Sequence, residues 1–124
     1  MKTSVFVTTS REFIHNFPES ATIPELCDGS DLDVSFLAHP HRHIFGFRVE
    51  TNVFHDDRDI EFIQLRRTLD AYLSTLPRDL GRMSCEQFGM NIIEHLNDIW
   101  GAEGRWWKVE VNEDAENGAI VEFS

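Results

Sequence analysis

The alternation of apolar and polar positions changes rhythm several times along the chain, and each rhythm predicts an element. Residues 4–9 alternate weakly and are rich in β-branched side chains, which predicts a first strand running on towards Phe13. The stretch 43–54 alternates most clearly. His43, Phe45, Phe47, Val49, Thr51 and Val53 fall on one face, and Ile44, Gly46, Arg48, Glu50 and Asn52 on the other. After a charged turn at 55–59 the period lengthens. Phe62, Leu65, Leu69, Tyr72, Leu73 and Leu76 recur at threes and fours, predicting an amphipathic helix that Pro77 ends.

Ser84-Cys85-Glu86-Gln87 has the form of a capping box and opens a second helix. Its apolar stripe is Phe88, Ile92, Ile93, Leu96, Ile99 and Trp100, and Gly101 closes it. Alternation returns over 106–111, and Asn117-Gly118 signals a hairpin turn before a last strand over 119–123. Residues 17–33, with Pro18, Pro24 and Gly29, read as an irregular excursion. The order is strand, loop, strand, helix, helix, strand, strand. The expected fold class is α+β: a four-stranded, mainly antiparallel sheet with two helices on one face, forming a single domain over 1–124. The second sheet face and the free edges still need cover, so a closed homo-oligomer is expected.

Charge narrows the partners. Lys and Arg number 11 against 22 Asp and Glu, a formal net charge of -11. Such a chain repels phosphate backbones, which argues against nucleic-acid binding, and a phosphorylated ligand needs a local cation. No apolar run approaches the roughly 20 residues that span a bilayer. With Cys27 and Cys85 read as free thiols, the expectation is a cytoplasmic protein without membrane association.

Of the six histidines, three fall in His39-Pro40-His41-Arg42-His43. His41 and His43 stand two apart at the mouth of a strand, so their rings point the same way with Cα atoms about 6–7 Å apart. Two imidazoles so placed can converge on one ion, and a catalytic zinc takes a third protein ligand. His15, from the early strand, is the candidate, with His39 as its rival.

In its order of features the sequence resembles the 6-pyruvoyl-tetrahydropterin synthase and 6-carboxytetrahydropterin synthase family. The resemblance rests on Phe13-Ile14-His15, on His41-Arg42-His43 followed by Phe45, Phe47 and Val49, and on Ile60-Glu61-Phe62 with Leu65. Ser84-Cys85-Glu86-Gln87 and Val109-Glu110-Val111-Asn112-Glu113 complete it. It implies the tunnelling fold (ββααββ), with subunits closing into a barrel, a hexamer-like ring. It also implies Zn2+ held by His15, His41 and His43, with 7,8-dihydroneopterin triphosphate as the small-molecule pterin substrate. The activity implied is that of a lyase, yielding either the pyruvoyl product or the carboxy product on the route to queuosine and other deazaguanines.

Glu113 is then expected to grip the pterin, because a carboxylate accepts two parallel hydrogen bonds from its amino and ring N–H groups. Glu86 matches the family's second helix-opening segment, which makes it a further substrate-binding candidate. Three departures stand out. Arg42 replaces the glycine between the paired histidines, and as a cation facing away from the ion it is a candidate for the triphosphate. The family's cysteine just before the histidine pair is absent, leaving Cys27 as the candidate base. The Asp-His segment between the helices is also missing, since residues 76–82 hold an aspartate but no histidine. His55 replaces it only if its turn reaches the pocket. The competing expectation is therefore a tunnelling-fold protein that binds zinc and a pterin or purine without turning it over.

Overall fold

A computed structural model describes residues 1–124. Four strands, β1 (Ser4–His15), β2 (His41–Asn52), β3 (Trp107–Glu113) and β4 (Asn117–Phe123), form one sheet in the order β1-β2-β3-β4, antiparallel throughout. Helices α1 (Phe62–Thr75) and α2 (Cys85–Trp100) lie between β2 and β3 in the chain and cover one face. The expected α+β class and element order hold. Both paired strands are longer at the histidine end than the alternation alone indicates, because β1 and β2 stay in register up to the pair His15 and His41.

The core follows from the two periods. Phe13, Phe45, Phe47, Val49, Trp107, Val109 and Val111 point from the sheet into Leu65, Leu69, Leu73, Phe88, Ile92 and Leu96 of the helices, and all are buried. Phe62 and Ile99, expected on the buried stripes, are 54% and 50% exposed. They sit at the outer ends of their helices. Glu61 caps α1 by accepting from the Gln64 amide, and the Ser84–Gln87 capping box is fully formed at α2. No helix is long and apolar enough to cross a membrane.

The hairpin between β3 and β4 departs from expectation. Asn117 and Gly118 do not turn; they pair with Glu113 and Asn112 as the first residues of β4. The turn is made by Asp114, Ala115 and Glu116, with Asp114 (φ 56°) and Ala115 (φ 59°) both left-handed. Gly118 serves close approach instead. A Cβ there would lie 2.0 Å from the Val111 carbonyl oxygen and 2.6 Å from the Asn112 Cα, so only glycine fits.

Residues 16–40 hold three short 3₁₀ turns (Pro18–Ala21, Pro24–Leu26 and Ser35–Ala38) in the irregular excursion. The connector between α1 and α2 runs back along the outer edge of β1. Ile14 N–H donates to the Arg78 carbonyl, Leu80 N–H to Ile14, and Asn16 N–H to Gly81. The end of β1 is thus bonded on both sides.

Candidate metal centre

His15 ends β1, while His41 and His43 open β2 on the same sheet face, and the antiparallel register sets His15 opposite His41. The ring centroids are 4.6 Å (His15–His41), 4.9 Å (His41–His43) and 5.4 Å (His15–His43) apart. One nitrogen from each ring lies within 4.8 Å of the others. His39, the alternative third ligand, stays outside this cluster. Its side chain is exposed, and its carbonyl accepts from His41.

Every Nδ1 faces an oxygen. His15 Nδ1 is 2.9 Å from the Met83 carbonyl, His41 Nδ1 is 2.8 Å from the His39 carbonyl, and His43 Nδ1 is 2.7 Å from Asp114 Oδ2. A carbonyl or carboxylate oxygen only accepts, so each neutral ring carries its proton on Nδ1 and presents a lone pair at Nε2. Outer oxygens of this kind orient metal-bound histidines and raise their basicity. Asp114 is itself held below the usual carboxylate range, chiefly by the His43 hydrogen bond and then by the Ile44 amide.

The Nε2 atoms of His15 and His43 are buried with no hydrogen-bond partner. The Glu113 carboxylate is close, with Oε1 3.2 Å from His15 Nε2 and Oε2 3.1 Å from His43 Nε2. For neutral rings with the proton on Nδ1, these contacts set lone pairs against lone pairs. Three imidazole nitrogens and a carboxylate are a donor set suited to zinc or a related divalent transition ion, and the orphaned nitrogens fit a bound cation.

The cluster borders a cleft of about 430 Å³, lined among others by His15, His41, Arg82, Cys85, Glu86 and Glu113. The structure thus brings Glu113 to the histidines and Glu86 to the lining of the same cleft. It leaves Arg42 and Cys27 outside the cleft lining. Arg42 alternates with the histidines, projects from the opposite sheet face, and donates to Glu12 at 3.0 Å. The Cys27 thiol, in the excursion, donates to the Ile23 carbonyl at 3.2 Å. His55 stays in its exposed turn, 3.9 Å from Asp59, and His95 stacks on Tyr72 at 4.5 Å.

Two cleft residues escape the sequence reading. Cys85, the first residue of α2, places its thiol 3.5 Å from Glu113 Oε1. Burial, then the Glu113 charge, pushes that thiol up to about 12, so it is a neutral S–H. Arg82 brings a guanidinium to the cleft and pairs with Glu19. The capping box revealed where α2 begins. Which way its first side chain points depends on how the helix crosses the sheet.

No family model and no curated protein matches this sequence. Among solved structures, 6-pyruvoyl tetrahydropterin synthase of Caenorhabditis elegans aligns over 98% of this chain and 97% of its own, with a TM-score of 0.64 and 14% identity. At that identity the likeness establishes the fold, which the two chains share along their whole length.

Proposed function

We propose that this protein is a zinc-dependent enzyme of the 6-pyruvoyl/6-carboxytetrahydropterin synthase type, a lyase acting on 7,8-dihydroneopterin triphosphate. One observation carries the reading: three histidines bring ring nitrogens within 4.8 Å of one another beside a cleft, each ring held through Nδ1 by a protein oxygen. His15, His41 and His43 would hold the ion. When bound, zinc acts as a Lewis acid that acidifies a substrate hydroxyl and stabilises negative charge developing on oxygen.

The chain's own residues divide the remaining work. Glu113 accepts paired hydrogen bonds from the amino and ring N–H edge of the pterin. Glu86, exposed at the cleft, adds an acceptor at its rim. Arg82 supplies the cation that a triphosphate needs on so acidic a chain, a role that suits it better than Arg42 on the far sheet face. Of the two thiols, Cys85 is the one in the cleft. A neutral S–H there fits a proton donor rather than the thiolate base sought in Cys27.

Closure into a ring of subunits belongs to the same reading. It is supported by the open β4 edge and by Phe6, Ile44 and Ile120 exposed on the sheet face away from the helices. Sedimentation of the purified chain should give several times the monomer mass. A monomer would sink the ring. The free cysteines suit a reducing compartment, which supports a cytoplasmic location.

A second reading, binding without turnover, is favoured by the absence of a histidine in the connector between the helices. Incubating the zinc-loaded protein with 7,8-dihydroneopterin triphosphate separates the two. The enzyme reading expects substrate loss that His41→Ala abolishes together with stoichiometric metal. The binding reading expects Glu113-dependent affinity and unchanged substrate.

A further inference from the structure

We infer that Glu113 is a ligand of the metal in the substrate-free protein, closing the three-histidine centre as a fourth protein donor. The inference rests on reading the cluster as a metal centre and goes beyond it in giving this carboxylate a place on the ion. Neutral imidazoles protonated on Nδ1 have only a lone pair at Nε2, and an ionised carboxylate has only lone pairs. Glu113 nevertheless sets Oε1 and Oε2 at 3.2 Å and 3.1 Å from two such nitrogens. For neutral rings that juxtaposition is repulsive unless a metal cation lies among the atoms; a second proton on either ring would instead make it an ordinary ion pair, which leaves the metal's spectrum indifferent to Glu113.

The spacing agrees with a shared ion. Nitrogen and oxygen ligands sit roughly 2.0–2.2 Å from zinc, so two corners of a tetrahedron around it lie about 3.3–3.5 Å apart. Each Glu113 oxygen stands close to one such edge from a single nitrogen, Oε1 from that of His15 and Oε2 from that of His43. The backbone fixes the carboxylate there. Glu113 is the last residue of β3 and pairs with Phe45, two residues beyond His43. The left-handed Asp114 that follows bends back, so that consecutive carboxylates address opposite nitrogens of the same His43 ring. On its other side Glu113 Oε1 is within 3.5 Å of the Cys85 S–H, which can donate to it.

Ligation and ring recognition are exclusive uses of one carboxylate. Glu113 must leave the ion before it can accept the two N–H groups of a pterin.

The test is cobalt(II) titration of the full chain, reading affinity by chelator competition and coordination by visible absorption. Wild type, Glu113→Gln and Glu113→Asp are compared, with Glu116→Gln in the exposed turn as a control for charge, and circular dichroism verifies folding. Glu113→Gln should weaken binding about tenfold or more and change the absorption bands, and Glu113→Asp, one methylene shorter, should do so in the same direction. Glu116→Gln should match wild type. Weaker binding with an unchanged spectrum would overturn the ligation in favour of a field effect. Wild-type affinity and spectrum in Glu113→Gln would overturn it while leaving the three-histidine centre standing. A wild-type protein that takes up no cobalt or zinc would remove both.

Discussion

At the scale of single residues, the site is organised by where each imidazole keeps its proton. The Met83 and His39 carbonyls and Asp114 each take a proton on Nδ1, and the three Nε2 lone pairs are left for one ion. Asp114 is the side chain among these acceptors, and Asp114→Ala should lower zinc affinity by about 10–100-fold without loss of secondary structure, measured by competition with a chelating dye. The thiols give a second check. With Cys85 a buried, neutral S–H whose ionisation is pushed up to about 12, folded protein at pH 8 should release one equivalent in a thiol assay, from Cys27, and a second only after denaturation. Two equivalents from the folded chain would contradict the environment described for Cys85. The histidines were legible in the sequence because a period of two puts His41 and His43 on one face. Asp114 was not, because its reach to His43 depends on a left-handed backbone. Cys27 drew attention by its place in a loop, yet the thiol beside Glu113 is the one that α2 carries at its first turn.

The elements were read from periodicity, and periodicity served best where an element is covered along its whole length. It placed β2, α1 and α2 and the faces they bury. It overstated the stripes at Phe62 and Ile99, since the repeat continues past the point where opposing side chains end. It also took Asn117-Gly118 for a turn, a pair whose glycine is required for a different reason. Gly118→Ala should cost about 1–3 kcal/mol in urea denaturation, because the added methyl meets the Val111 carbonyl rather than a yielding side chain. The turn that is present carries strain at Ala115, a β-carbon residue in the left-handed region. Ala115→Gly should therefore stabilise the protein by roughly 0.5–1 kcal/mol, seen as a melting temperature a few degrees higher. No change, or a decrease, would mean that the alanine methyl contributes packing that outweighs its backbone cost.

For the molecule as a whole, the order of strands and helices was readable from the sequence, and the full-length likeness to a solved synthase agrees with it. Metal binding should be felt globally, because the histidines that would hold the ion come from β1 and β2 and unfolding disperses them. Zinc at a hundred times its dissociation constant should add about 2.7 kcal/mol of stability. Differential scanning calorimetry should show the rise with zinc, its reversal by a chelator, and its absence in His41→Ala.

The connector between the helices has a consequence for motion. Strand ends at a sheet border ordinarily fray, opening their amides to solvent, yet here Ile14 and Asn16 donate to Arg78 and Gly81, while the ring of His15 is tied to Met83. The amides of Ile14 and Asn16 should consequently exchange with deuterium on the slow timescale of the sheet interior. A histidine at a strand terminus is in this way denied the local opening that would let an ion escape.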